Sequence, residues 1–90
     1  MAIVTVTFRN PVSDQAASGS SVDDTMTVRE TIEHLSQSGF PLPPVAAGQH
    51  YVLEIKGKTE LSSDDATLQS GGVKDGDVIN VVAVQRGGRG

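Results

Sequence analysis

The chain has 90 residues, a net charge of -4, 37 % hydrophobic and 20 % charged residues, and no cysteine. That is one ordinary globular domain without disulfides, a thiol nucleophile or a thiolate metal site. Its acidic balance and scattered basic residues argue against nucleic-acid binding.

A domain this small buries only roughly 60–65 % of the surface its unfolded chain exposes, so its stability is modest and spread over the fold. The aromatics are Phe8, Phe40 and Tyr51, so the core must be built from Val, Ile and Leu. The N-terminal stretch Met1 to Thr5 has no basic segment followed by a long apolar run. Neither a signal peptide nor a membrane span is expected, and a cytoplasmic setting is. His34 and His50 are too few for a metal site without distant carboxylates, and both are expected to face solvent.

Ala2 to Arg9 alternates, with Val4, Val6 and Phe8 on one face and Ile3, Thr5 and Thr7 on the other, the pattern of a half-buried strand. Asn10-Pro11 ends it, because proline donates no ladder hydrogen bond and holds the preceding residue extended. Val12 to Ser21 is small and polar around Gly19. A strand over roughly Ala16 to Val22 is expected there only because the first strand needs a partner; the other reading of residues 11–17 is a mobile loop.

Thr27 opens a helix. Thr27-Val28-Arg29-Glu30 is a capping box, in which the threonine hydroxyl and the glutamate carboxylate each accept from the other's backbone. Val28, Ile32 and Leu35 form one apolar stripe with Thr31 beside them, while Glu30, Glu33, His34 and Gln37 face outward. Gly39 supplies the left-handed residue that ends the helix, Phe40 folds back on Leu35, and Pro41, Pro43 and Pro44 forbid continuation.

Ala46 to His50 reads as a loop. Tyr51 to Lys56 alternates again: Tyr51, Leu53 and Ile55 on one face, Val52, Glu54 and Lys56 on the other. Gly57-Lys58 is a turn, Thr59 to Leu61 a short edge strand, and Ser62 to Asp65 a polar connection. Thr67 to Gly72 and Val73 to Asp77 are turns that lead into a strand over Val78 to Val84. Its inward set is Ile79, Val81 and Ala83, and its outward set Val78, Asn80, Val82 and Val84. One amphipathic helix on one face of a mixed four- to five-stranded sheet makes a two-layer α+β domain over residues 1–84. Residues 85–90, Gln85-Arg86-Gly87-Gly88-Arg89-Gly90, form a narrow flexible tail, since glycine has nothing to bury and much entropy to lose.

The capped helix ended by Gly39 and Pro41-Leu42-Pro43-Pro44, the run Lys56-Gly57-Lys58, and the run from Thr67-Leu68 through Gly72 to Asp77 to Arg86-Gly87-Gly88 together resemble the ubiquitin-like β-grasp family over essentially the whole chain. From Leu68 to Gly88 the spacing matches ubiquitin without an insertion. The resemblance implies that an E1-like activating enzyme, using ATP, adenylates the carboxylate of Gly88. A thiol, amine or sulfide then attacks the acyl group. Gly87 would be its slim neighbour and Arg86 a contact for the enzyme. No bound cofactor is implied. Arg89-Gly90 follows the diglycine, so the bond after Gly88 is a candidate processing site for a JAB-type peptidase; use of the uncut end at Gly90 is the other possibility. The poor second strand and the three lysines, Lys56, Lys58 and Lys74, resemble the ubiquitin-like proteins of bacteria and archaea, some of which act with an E2-like conjugating enzyme in defence against phage.

On the sheet face that ubiquitin receptors grip, the matching positions are Val52, Glu54, Asn80, Val82 and Val84. A charge at Glu54 disfavours ordinary ubiquitin receptors and leaves a small valine patch for a dedicated partner. The function so implied is that of a protein modifier joined to a target protein, itself a monomer and not an enzyme. The alternatives are a sulfur carrier with a C-terminal thiocarboxylate, or a non-conjugated adaptor of the YukD type. Asp64-Asp65, Asp75 and Asp77 sit in turns, where aspartate shapes backbone, and Ser20, Ser21 and His34 lack an orienting third group.

Overall fold

The computed structural model describes residues 2–85. The elements are β1 (Ile3–Asn10), β2 (Gln15–Asp23), α1 (Val28–Gln37), β3 (Gln49–Ile55), β4 (Glu60–Leu61), a 3-10 turn (Gln69–Gly71) and β5 (Val78–Gln85). The five strands form one sheet in the order β2-β1-β5-β3-β4. β1 and β5 are parallel and the other neighbours antiparallel. With α1 packed on one face, the architecture is the expected mixed-sheet α+β domain.

β1 buries Val4, Val6 and Phe8 and leaves Ile3 and Thr5 exposed, as its alternation dictates. It ends at Asn10 rather than Arg9, and Asn10 is buried. Its Nδ2 donates to the Pro41 carbonyl at 2.6 Å and its Oδ1 accepts from the Val12 amide at 3.0 Å. One side chain thus shapes the hairpin turn and ties it to the segment that follows α1.

The weak second segment is a full strand, longer than expected at both ends. Its pairing holds one register from Ile3↔Asp23 to Val6↔Ser20, then shifts by one residue before Phe8↔Ala17. Thr7 therefore faces both Ser18 and Gly19, and Gly19 has φ +73°. A glycine in the left-handed region is what a bulge of this kind requires. β2 forms because β1 offers a ladder, not because its own side chains favour a strand.

α1 has the expected ends. The Glu30 amide donates to Thr27 Oγ1 at 3.1 Å, and the Thr27 amide donates to Glu30 Oε1 at 3.0 Å. The Val28 and Arg29 amides, which have no partner inside the helix, donate to the carbonyls of Ala66 and Asp64. At the other end the Phe40 amide donates to the Leu35 carbonyl and the Gly39 amide to the Ser36 carbonyl, with Gly39 at φ +87°. That is a Schellman ending. Val28, Thr31 and Leu35 are buried, while Ile32 and Phe40 pack on the edge of the core.

The core joins Val4, Val6, Phe8, Val28 and Leu35 to Leu53, Ile55, Leu61, Leu68, Ile79 and Val81. Tyr51 packs on this cluster, and its hydroxyl donates to the Pro43 carbonyl at 2.6 Å. Burial pushes the Tyr51 pKa above its ordinary value. β5 lies between β1 and β3, so its inward side chains Ile79 and Val81 sit in the middle of the sheet. It runs one residue past the expected Val84.

Candidate functional site

On the face of the sheet away from α1, strand register sets the rows. Arg9 of β1 lies beside Asn80 of β5, Asn80 beside Glu54 of β3, and Glu54 beside Glu60 of β4. In the adjoining rows Val52 faces Val82 and His50 faces Val84. The expected surface residues Val52, Glu54, Asn80, Val82 and Val84 are therefore brought together.

Their exposure corrects the expected patch. Val52 is 0 % exposed and so out of a partner's reach, yet it lies outside the cluster beneath α1. On its own face it is ringed by Val82 across the ladder, by Asn80 and Val84 diagonally, and by His50 and Glu54 along β3. Cross-strand neighbours at these separations close over a short side chain. Val82, Val84 and Asn80 are half-buried, and Glu54 is exposed. Asn80 Nδ2 donates to Glu54 Oε1 at 3.2 Å. The large apolar side chains most open to solvent are instead Ile3 and Val12.

His50 is a second correction. It is half-buried, not solvent-facing, because β3 begins at Gln49 and carries it into the sheet. Its Nδ1 is buried and, among the described residues, has no hydrogen-bond partner; the same holds for Asn80 Oδ1. His34 is exposed as expected.

The segment between the 3-10 turn and β5 forms a second feature that sequence reasoning missed. Asp77 Oδ2 accepts from the Lys74 amide and from Lys58 Nζ, both at 2.8 Å, and Lys58 Nζ also donates to the Gly72 carbonyl at 2.7 Å. Asp75 Oδ1 accepts from the Thr5 amide at 2.7 Å, and the Gly76 and Thr7 amides complete the docking on β1 through the carbonyls of Thr5 and Asp77. Lys58 thus spans from the turn after β3 to the turn before β5. The Lys-Asp spacing of 19 residues carries no local sequence signal.

This clamp predicts a pH dependence. The Lys58 side chain, then the Lys74 amide, holds the Asp77 carboxyl below its ordinary value of 3.8. The Thr25 amide and hydroxyl do the same for Asp23. A carboxylate with a lowered folded-state pKa contributes stability that is present above the unfolded pKa and lost as pH falls through the folded one. The melting temperature is therefore expected to fall between about pH 5 and about pH 2. In Asp77→Asn the fall is shallower, so the gap between the two proteins narrows in acid. Equal slopes in a pH series of thermal melts would refute the clamp as a source of stability.

Arg86, Gly87, Gly88, Arg89 and Gly90, the expected conjugation and processing residues, lie outside the described residues. Gln85, the residue before them, is the last of β5. Among the described residues, no helix is long and apolar enough to cross a membrane. No protein-family model matches the chain, and no curated protein matches it.

Proposed function

We propose that this chain is a ubiquitin-like β-grasp protein modifier whose working group is the carboxylate of Gly88. The strand order β2-β1-β5-β3-β4, with parallel β1 and β5 at the centre and a helix after the first hairpin, fits that fold. The observation that carries the functional reading is the position of β5. It is paired with β1 over Val78 to Asn80 and with β3 from Ile79 to its last residue, Gln85. The sequence that follows its last residue is Arg86-Gly87-Gly88. A diglycine one residue beyond a strand that β3 pairs to its last residue has a firm handle behind it and no side chain to obstruct a narrow catalytic channel.

In this reading a peptidase, of the JAB type by resemblance, hydrolyses the bond between Gly88 and Arg89. An E1-like enzyme then joins the freed carboxylate to AMP from ATP, releasing pyrophosphate. Acyl transfer through a thioester, with an E2-like enzyme, ends in an amide on a target amine. The protein itself supplies binding and presentation. The half-buried Val82 and Val84, with exposed Glu54, belong to the outer face that these enzymes can reach.

The test is intact-mass and adduct analysis of the tagged protein isolated from its native host. Species trimmed after Gly88, together with larger proteins carrying it in amide linkage, are expected; Gly88→Val abolishes both adduct and activation. A trimmed species with one oxygen replaced by sulfur makes it a sulfur carrier. An uncut chain without adducts, whose activity survives Gly88→Val, refutes the conjugation reading in favour of the adaptor.

A further inference from the structure

We infer that the three lysines divide into two classes as acyl acceptors: Lys56 and Lys74 are open, and Lys58 is closed by the turn it clamps. An amine attacks an activated acyl group through a nitrogen lone pair, so the side chain must be free to present Nζ. Lys58 Nζ is engaged by the Gly72 carbonyl at 2.7 Å and the Asp77 carboxylate at 2.8 Å. Its side chain is 34 % exposed and that of Asp77 18 %. To react, Lys58 must leave both acceptors and uncover Asp77. All three lysines are exposed, but the Lys56 and Lys74 side chains have no ion pair or hydrogen bond among the described residues.

The two open lysines also share a location. The Lys56 amide donates to the Val78 carbonyl at 2.9 Å, which sets Lys56 beside the first residue of β5. Lys74 lies in the turn that leads into the same residue, its amide on Asp77. Gln85 is at the far end of this eight-residue strand, about 23 Å away at strand rise. Both acceptors therefore stand at the end of β5 opposite Gln85. An acyl thioester delivered there reacts in a balanced way. The Nζ–C bond forms, the C–S bond breaks, and the thiolate leaves and takes up the proton that the amine loses.

The proposed function enters only in naming one donor: the Gly88 thioester of a second copy would join copies end to end through Lys56 or Lys74. The division of the lysines does not depend on it. The probe is the N-hydroxysuccinimide ester of acetic acid at limiting amount, with peptide mass spectrometry of each lysine. Lys58 is expected to acetylate about tenfold more slowly than Lys56 and Lys74, a partial protection in keeping with an ion pair that solvent still reaches. In urea the three rates converge, and in folded Asp77→Asn the Lys58 rate alone rises. Lys58 reacting as fast as the others in the folded protein overturns the inference, as do copies joined through Lys58. Protection of Lys58 in a protein that never forms Gly88 adducts would sink the modifier reading and leave the division standing.

Discussion

Phe8→Ala is expected to cost about 3–5 kcal/mol of folding stability. A domain of this length has only about 5–14 kcal/mol in total, at ~0.05–0.15 kcal/mol per residue. Phe8 is 0 % exposed. Its strand is paired on both sides at that point, with Ala17 across one ladder and Ile79 across the other. Truncation leaves a hole beneath α1 where two rigid ladders meet, and neither can collapse inward without breaking register. Lost transfer energy and an unfilled cavity add. Equilibrium urea denaturation followed by far-ultraviolet circular dichroism measures the loss. A change below about 1 kcal/mol would mean that the sheet can relax into the space, against the packing described.

Gly71→Ala should cost about 1–3 kcal/mol, although it adds a single methyl group. Gly71 is buried at the end of the 3-10 turn. A β-carbon there would stand 2.6 Å from Ile55 Cδ1 and 3.0 and 3.1 Å from the two methyls of Leu61. Those atoms are the ends of side chains that are themselves buried, so their displacement spreads into β3 and β4. The strain is one of overpacking, not of backbone geometry. Thermal melts of the variant read it directly, and an unchanged or raised melting temperature would show that Ile55 rotates away without loss.

Both ends of the helix were legible in the sequence because their signals are local and chemical: Thr27 with Glu30 at one end, Gly39 and Phe40 at the other. β1, β3 and β5 were legible from alternation, since each has one face on the core, although β3 starts two residues before the alternation at Tyr51. β2 was not. It is an edge strand of small polar residues, and its length is set by the partner that pairs with it. Val52 failed for a different reason. Alternation tells which face a side chain takes but not whether that face is covered, and the ring of Asn80, Val82, Val84, His50 and Glu54 is a property of three-dimensional register. The Lys58–Asp77 clamp escaped for the same reason, while the diglycine was legible as a motif alone.

β2 forms one edge of the sheet. Its outer edge offers the backbone donors and acceptors of alternate residues along a nine-residue strand, the kind of template on which strands of other molecules stack into aggregates. The sequence along it, Gln-Ala-Ala-Ser-Gly-Ser-Ser-Val-Asp, has one large apolar residue, Val22, and that one is buried. The bulge at Gly19 breaks the regular spacing near its middle, and Asp14 and Asp23 flank its two ends with charge. An intruding strand would find no continuous ladder to copy and no apolar side chains to interdigitate with. The residues that made this strand hard to read are the ones that make this edge a poor template for a further strand.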